Sequence, residues 1–306
     1  MFAYRMKPFF RHGKDTPWGG EKLRLLFHKD IPDAKTGESL EISTYFDEAS
    51  HTGESRTEDG RTLSEVLGKP LPLLLKLIDA KQTLSVQVHP DDAYAHAHEN
   101  GKKGKTEAWL ILQAEPGAKL VYGMKPGTDC RRLTRESVEQ HLHWVPVQAG
   151  DVFYIPAGMV HAIGEGIVLY EIQQASDITY RLWDWNRLQA DGSPRALHFE
   201  KACDVIRLQD IEAPVAGVTH VCGSGMVTSY LDTEYFMLKR LHVNGHMPLP
   251  EMEGFAFLTA LCAGSLCCEG QTLSFQTGES FFIPDASVGI TICAQGDLLL
   301  SGLGRA

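Results

Sequence analysis

The segment Gly150–His161 reads GDVFYIPAGMVH and decides the fold of the chain. It opens with a Gly-Asp turn and continues as the apolar run Val152–Ile155, which has the composition of a short buried β-strand. Pro-Ala-Gly then breaks that strand, and His161 begins the next one. The pattern G-x5-P-x-G-x2-H places one imidazole at the inside corner of a small β-barrel. Side chains from several strands can hold a metal ion at such a corner.

A second segment supplies polar residues at strand spacing. Leu84–Pro90 reads LSVQVHP, in which polar and apolar side chains alternate. Ser85, Gln87 and His89 therefore share one face of a predicted strand. Because the spacing is two residues, Gln87 and His89 can reach one ion.

A third segment adds a carboxylate. Lys105–Leu112 reads KTEAWLIL, and the same alternation puts Lys105 and Glu107 on one face of a strand. The predicted metal ligands are Gln87, His89, Glu107 and His161. This mixed nitrogen and oxygen set suits a catalytic Zn²⁺ with room for water, and it also accommodates Fe²⁺ or Mn²⁺.

Composition limits the classes of function. The 306 residues are 43% hydrophobic and 22% charged, which is typical of a globular protein with two modest domains. No run of about 18 apolar residues predicts a membrane span, and Met1–Pro8 lacks the pattern of a signal peptide. The 7 cysteines form no C-x-x-C motif, so we expect reduced thiols and a cytoplasmic location. The net charge of −10 argues against a nucleic-acid partner.

The rest of the chain reads mostly as short strands separated by Gly and Pro, which is typical of a jelly-roll sandwich or barrel. The predicted strands are 73–77, 83–89, 106–112, 119–122, 152–155, 167–173 and 179–183. The predicted helices are one that begins at Thr62 with a capping box and ends at Gly68, followed by 91–99, 134–141 and 196–207.

An internal repeat indicates a second barrel. Gly278–Pro284, GESFFIP, repeats the pattern of Gly150–Pro156, GDVFYIP. Counted from the glycine, Gly289 falls where the first copy has His161. We therefore predict a metal-binding domain over 1–207, a C-terminal domain without a metal site over 208–306, and one metal ion per chain. Leu208–Val218, which carries Pro and Gly, is the predicted linker.

Six motifs in order carry a family resemblance. They are PWGG at 17–20, GESLEIS at 37–43, SVQVHP at 85–90, GKTEAW at 104–109, PAGMVHAI at 156–163 and EIQQASDITYR at 171–181. Together they resemble the class I mannose-6-phosphate isomerases of the short bacterial form, over nearly the whole chain. Leu40 departs from the pattern, since relatives often carry an aromatic residue there, and this concerns pocket shape rather than chemistry.

The resemblance implies a fold and a reaction. The fold is mainly β, with two cupin-like jelly-roll barrels and a few short helices, and Gly150–His161 is similar to half of the cupin signature. The reaction is a zinc-dependent interconversion of D-mannose 6-phosphate and D-fructose 6-phosphate through a cis-enediol. An anionic substrate of this kind needs a locally positive pocket in a chain of net charge −10.

The resemblance also implies roles for individual residues. Arg181 is expected to act on the enediolate or the phosphate, because its planar fork keeps its charge. Lys105 and Glu171 are candidates for proton transfer, and the sequence does not choose between them. An ion pair for Lys105 and a hydrogen-bonding role for Glu171 are the structural alternatives. Ser85 is a candidate phosphate contact. Four further histidines, at positions 96, 98, 141 and 143, are expected at the surface.

Two other functions remain open from the sequence. One is a non-catalytic, sugar-binding cupin, and the other is an iron-dependent cupin oxygenase, whose metal the ligand set would also accept. The expected partner is a small hexose phosphate, with no nucleic acid and no membrane. The protein is expected to be a monomer or a small homo-oligomer. Metal analysis combined with an assay on hexose phosphates separates the three functions.

Overall fold

The computed structural model describes residues 2–48, 50–189, 192–208 and 213–305. The described chain is mainly β, which confirms the predicted fold class. Its strands are, in chain order, β1 Tyr4–Lys7, β2 Phe9–Arg11, β3 Glu38–Ile42, β4 Arg56–Thr57, β5 Leu73–Ala80, β6 Val86–Val88, β7 Glu107–Ala114, β8 Lys119–Met124, β9 Leu142–Pro146, β10 Val152–Ile155, β11 His161–Ala162, β12 Ile167–Gln174, β13 Tyr180–Trp183, β14 Val218–Cys222, β15 Gly225–Asp232, β16 Phe236–Pro248, β17 Ala256–Ala260, β18 Gly264–Cys268, β19 Gln271–Phe275, β20 Ser280–Ile283 and β21 Thr291–Leu303.

The helices of the described residues are short. They are α1 Lys22–Phe27, α2 Leu63–Leu67, α3 Asp92–His98 and α4 Phe199–Val205, with 3₁₀ turns at Cys130–Arg132 and Val138–His141. Within these same residues, no helix has the length and apolar character that crossing a bilayer requires.

Two packed sheets form the barrel that carries the predicted metal ligands. One has six strands in the order β10-β7-β12-β5-β3-β2, and the other has five in the order β13-β6-β11-β8-β9. Trp109, Phe153 and Leu169 of the first sheet pack with Leu120 and Tyr122 of the second in one buried cluster. The predicted metal ligands therefore lie on, or directly after, strands of two sheets that pack against each other through an apolar core.

The third sheet holds the C-terminal strands and the N-terminal one. Its main path is β14-β15-β16-β21-β17-β20-β1-β4, and the β18–β19 hairpin branches from β21. Tyr4 of β1 lies opposite Phe282 of β20. The division into domains at 207/208 stays a prediction, and residues 209–212 of the predicted linker lie outside the described residues.

The structure repeats the internal pattern of the sequence. Strand β10 pairs with β7 so that Ile155 lies opposite Glu107, and β20 pairs with β17 so that Ile283 lies opposite Ala256. Ala256 therefore occupies the place of Glu107, and the C-terminal repeat lacks this carboxylate.

Hydrogen bonds between side chains and nearby backbone N–H groups determine where two of the predicted helices begin. Thr62 caps α2 by a capping box with Glu65, and Gly68 ends the helix in the left-handed region, as predicted. The prediction of a helix over 134–141 is wrong for its first half. There the Thr134 and Ser137 side chains bond to each other's backbone N–H groups, and such local bonds compete with helix formation.

The other two predicted helices exist but differ at their ends. α3 lies inside the predicted range 91–99, and α4 occupies only the centre of 196–207. α4 begins late because the N–H of His198 donates to the carbonyl of Arg181, which holds this segment along β13. Helix α1 was not predicted. The Asp79 carboxylate accepts the N–H of Lys22 in its first turn, and this partner lies 57 residues away in sequence.

Candidate metal centre and active-site cavity

Three of the predicted ligands meet in the barrel. The ligand atoms of His89, Glu107 and His161 lie within 4.8 Å of one another, and all three side chains are buried. Glu107 begins β7 in the six-stranded sheet, whereas His161 begins β11 in the five-stranded sheet and His89 follows β6. The two sheets thus bring together residues that lie far apart in sequence.

Backbone carbonyls fix the orientation of both imidazoles. His89 Nδ1 lies 2.7 Å from the carbonyl oxygen of Ile178, and His161 Nδ1 lies 2.8 Å from that of Met159. A carbonyl only accepts, so each Nδ1 carries the proton and each Nε2 presents a lone pair. The Nε2 atoms point at Glu107, at 3.6 Å from Oε2 for His89 and 3.3 Å from Oε1 for His161.

These residues fit a divalent metal ion. His89 Nε2 and Glu107 Oε1 are buried without a hydrogen-bond partner among the described residues. Burial lowers the pKa of His161 to about 4, and burial together with the charge of Lys105 holds the pKa of His89 well below its usual range. Two neutral imidazoles that direct their Nε2 lone pairs at an unsatisfied carboxylate form a site that a cation stabilises.

Gln87 lies at the edge of this group. It stands opposite His161 in the β6–β11 pairing, and its amide nitrogen lies 3.3 Å from His161 Nε2. A half-turn of the amide exchanges its nitrogen and oxygen without moving any other atom. Gln87 also lines the cavity described next, so it stands between the metal ligands and the solvent side.

A cavity of about 660 Å³ is lined by Gln87 and by Lys105, the ion-pair partner of Glu107. It brings together the remaining residues that the sequence singled out, which are Ser85, Lys105, Glu171 and Arg181. Other charged residues that line it are Arg11, Lys14, Asp15, Glu38, Asp47, Lys76, Lys102, Asp177 and Arg195. The cavity can therefore receive an anion although the chain as a whole is acidic.

Glu171 has one anchored oxygen and one unpaired oxygen. Trp109, its partner on the neighbouring strand β7, donates its indole N–H to Oε2 at 2.9 Å. Lys76 Nζ lies 3.5 Å from Oε1, which has no hydrogen bond among the described residues. Burial, reinforced by the negative charge of Glu107, raises the pKa of Glu171. A carboxylate with a raised pKa is a stronger base than an ordinary one, so it can take a proton from a substrate and return it.

Lys105 is paired with a metal ligand. Its Nζ lies 2.8 Å from Glu107 Oε2, and the ion pair is buried. Burial opposes the charged form, but the carboxylates of Glu107 and Glu171 outweigh it and raise the pKa of Lys105. In this arrangement Lys105 is an ammonium ion that supplies hydrogen bonds and positive charge.

Three charged residues of the cavity were not predicted as site residues, and they are Lys76, Glu38 and Arg11. Lys76 Nζ lies 3.5 Å from Glu38 as well as from Glu171, and Arg11 donates to Glu38 at 3.0 Å. Burial acts against ionisation of Glu38, but Arg11 and Lys76 lower its pKa to about 2. A signal for Lys76 exists in the sequence, because it is the one cation inside the apolar run 73–78, LLLKLI.

A cluster of three arginines lies at one end of the cavity, where Arg181 and Arg195 line it and Arg187 does not. Arg181 donates to the Ser85 hydroxyl oxygen at 3.2 Å, and Arg195 donates to the same oxygen at 3.4 Å. Asp184 forms ion pairs of 3.2 Å with both Arg187 and Arg195. Burial, followed by repulsion from Arg195, lowers the pKa of Arg181 to about 10. Three guanidinium groups against one carboxylate leave two positive charges in excess. Arg195 was not predicted, since it lies in a loop without periodicity.

The four histidines that the sequence assigned to the surface lie away from the metal group. His96, His98 and His143 are exposed, and His141 is half-buried. His98 stacks on Tyr94 with 4.1 Å between the ring centroids.

Known proteins resemble this chain over most of its length. Residues 12–108 match the model of the type I phosphomannose isomerase catalytic domain. A probable mannose-6-phosphate isomerase of Bacillus subtilis, GmuF, is 34% identical over 97% of this chain and 98% of its own. The mannose-6-phosphate isomerase of Streptococcus mutans is 34% identical over 88% of this chain and 89% of its own.

Solved structures agree with the sequence comparison. The crystal structure of the mannose 6-phosphate isomerase from Bacillus subtilis superposes with a TM-score of 0.90 at 30% identity, covering 99% of this chain and 100% of that one. A point variant of the phosphomannose isomerase from Salmonella typhimurium reaches a TM-score of 0.78 at 15% identity, covering 99% of this chain and 100% of that one, which shows a shared fold.

Proposed function

The chain belongs to the type I mannose-6-phosphate isomerases, and from that premise we propose how its own residues carry out the reaction. The enzyme interconverts D-mannose 6-phosphate and D-fructose 6-phosphate, which requires a proton to move between C2 and C1. No observation at the site favours the non-catalytic sugar-binding cupin or the iron-dependent oxygenase.

The resident metal is zinc, one ion per chain, held by Gln87, His89, Glu107 and His161. The support is the pair of oriented Nε2 lone pairs and the unpaired oxygen of Glu107. Zinc favours such a mixed nitrogen and oxygen set with an open position. When bound, the zinc ion would act as a Lewis acid and polarise the sugar oxygens.

Glu171 carries the proton between the two carbons. From the aldose, Oε1 takes the proton of C2 to give the cis-enediolate. A proton then passes from the hydroxyl on C2 to the oxygen on C1, and Oε1 returns its proton to C1 to give the ketose. Its raised pKa suits both steps, because the carboxylate is basic enough to accept and acidic enough to give back. Lys105, held as an ammonium by Glu107, stabilises negative charge on the sugar oxygens.

The arginine cluster binds the phosphate. Arg181 and Arg195 both reach the Ser85 hydroxyl, so an anion placed there meets two guanidinium forks and one hydroxyl. The excess of two positive charges equals the charge of a phosphate dianion. This end of the cavity would therefore select phosphorylated over free hexoses.

The same reasoning extends to location and assembly. We propose a cytoplasmic enzyme, and the support is that all seven cysteines are free thiols in the structure. A monomer or a small homo-oligomer remains the proposed assembly.

The observation that carries the proposal is that Glu171, with its unpaired oxygen, lines the same cavity as Gln87 and Lys105, which contact His161 and Glu107 of the metal group. The test is to assay the purified protein with mannose 6-phosphate before and after chelation. We expect activity to vanish with the metal and to return with one equivalent of zinc. Full activity in metal-free protein, or recovery with iron but not zinc, would overturn the metal assignment.

A further inference from the structure

A second cluster of reactive side chains lies outside the lining of the cavity, on the sheet of the C-terminal strands. Cys267 of β18 and Cys293 of β21 are both half-buried, and their sulfur atoms are 3.9 Å apart. His246 of β16 is exposed, and its Nδ1 lies 3.1 Å from Cys293 Sγ. None of these residues lines the metal site or the cavity above it.

The strand register brings these side chains to one face. Cys293 lies opposite His246 on one side and opposite Ser265 on the other. Cys267 is two residues beyond Ser265 on the same strand, so it points to the same face and lies diagonally across from Cys293. Three neighbouring strands thus present an imidazole and two thiols in a row.

We propose that Cys267 and Cys293 form a thiol–disulfide exchange site, which low-molecular-weight disulfides oxidise to an internal disulfide with His246 as the base. The site is independent of the isomerase reaction. It is a covalent modification site on the enzyme's second half, and its chemical partner is a soluble disulfide such as oxidised glutathione.

The surroundings assign the two sulfurs different roles. Thr272 Oγ1 lies 3.6 Å from Cys267 Sγ, and this hydroxyl, with that of Ser265, lowers the pKa of Cys267. Desolvation raises the pKa of Cys293. Because the thiolate is the nucleophile, Cys267 attacks first and Cys293 needs a base to follow.

The exchange balances in two displacements. The Cys267 thiolate attacks one sulfur of the disulfide, the sulfur–sulfur bond breaks, and one glutathione thiolate leaves. His246 then takes the proton of the Cys293 thiol, and the new thiolate attacks Cys267 Sγ and releases the second glutathione. Two protein thiols are oxidised, one glutathione disulfide is reduced, and the two thiol protons end on the two glutathiones.

The two sulfur atoms lie where the β18–β19 hairpin joins the main path of the sheet. β19 pairs only with β18 among the described strands, so the β18–β19 hairpin is held to the sheet through β18 and β21. Forming a sulfur–sulfur bond of about 2 Å from this 3.9 Å contact requires the two cysteine side chains to move toward each other. A diagonal cross-strand disulfide is strained, and strained disulfides are readily reduced, so the modification is reversible.

The experiment treats the folded, metal-loaded enzyme with oxidised glutathione, blocks remaining thiols, and maps disulfides by peptide mass. We expect one internal Cys267–Cys293 disulfide that dithiothreitol reverses. Cys267→Ser and Cys293→Ser must abolish it, and the matched control Cys222→Ser, at another half-buried cysteine of this sheet, must keep it. His246→Gln should accumulate the mixed disulfide at Cys267, because the second displacement loses its base.

Melting temperature and isomerase activity of each variant show that the mapped protein is folded, and Cys267→Ala replaces Cys267→Ser if that variant melts early. The proposal is overturned if Cys267 and Cys293 stay reduced, if they form only persistent mixed disulfides in the wild type, or if they pair with other cysteines. Since the readout is a disulfide map, a failure of the proposed isomerase mechanism would leave this result unchanged.

Discussion

At the scale of single residues, the choice between Glu171 and Lys105 as proton carrier can be tested directly. Glu171→Gln keeps the hydrogen bond from Trp109 but removes the titrating group. We expect kcat to fall by roughly 10²–10⁴-fold, as for loss of a general base, while zinc content stays at the wild-type value. The control is Glu165→Gln, an exposed carboxyl nearby in sequence. A near-normal kcat for Glu171→Gln would transfer the role to Lys105.

The arginine cluster gives a second test at this scale. Arg195→Ala should raise the KM for mannose 6-phosphate and weaken inhibition by inorganic phosphate. The reason is that one of the two guanidinium groups that contact the Ser85 hydroxyl is lost. Arg181→Ala should lower kcat/KM by about a hundredfold or more, and Arg181→Lys should remain impaired since ammonium cannot reproduce the planar fork. Arg132→Ala, at an exposed arginine, is the control. Unchanged phosphate inhibition in Arg195→Ala would remove Arg195 from the phosphate site.

The sequence predicts site residues well where polar and apolar side chains alternate along a strand, and poorly where no such alternation exists. His89, Glu107 and His161 were predicted and do meet, because strand alternation fixes which face each occupies. Lys76 was missed although its strand is otherwise apolar over 73–78. Arg195 carries no such signal, since its position depends on contacts with Ser85 and Asp184, which lie 110 and 11 residues away in sequence.

At the scale of elements, the two matching turns before β10 and β20 differ in surroundings. Gly150 and Gly278 both have positive φ, of 97° and 89°. A Cβ on Gly278 would lie 2.3 Å from the backbone oxygen of Phe27 at the end of α1, whereas one on Gly150 would come no closer than 3.9 Å to Arg240. Alanine strains the backbone at both sites by roughly 1–2 kcal/mol, but only Gly278→Ala adds a clash.

We therefore expect Gly278→Ala to lower the free energy of unfolding by more than Gly150→Ala does. The measurement is denaturant unfolding of the metal-loaded protein, with both variants compared in the same buffer. Equal losses would mean that α1 does not pack on the turn before β20 in solution. The sequence shows the two glycines as equivalent, and only the packing of α1 distinguishes them.

At the scale of the whole molecule, local sequence patterns do not reveal which distant strands pair. Tyr4 pairs with Phe282 across almost the full chain, so the first strand joins the sheet of the last ones. Tyr170 of β12 also bonds Ser301 of β21 at 2.7 Å, linking the two repeats. The repeat itself is visible in the sequence, as GDVFYIP at 150–156 and GESFFIP at 278–284. In the second copy Ala256 and Leu300 replace Glu107 and Glu171, so this half keeps the fold and loses the chemistry.

The metal couples to the stability of the whole molecule through pH. The folded metal-free chain holds His161 at a pKa of about 4, below its ordinary value of 6.5, and shifts His89 in the same direction. Between those two values the unfolded chain binds more protons than the folded one. Stability is therefore lost as the pH falls from 6.5 toward 4, by on the order of 3 kcal/mol from His161 alone.

We predict that metal-free protein loses stability steeply over this range, whereas zinc-loaded protein keeps it to lower pH, because protons must first displace the ion from both imidazoles. Denaturant midpoints measured from pH 7 to 4.5, with and without zinc, check this. His161→Gln should flatten the metal-free curve, since one of the two buried imidazoles no longer titrates, and it should remove most of the zinc effect. A metal-free wild type and His161→Gln with parallel pH curves would show that His161 is not held neutral by burial in the folded metal-free chain.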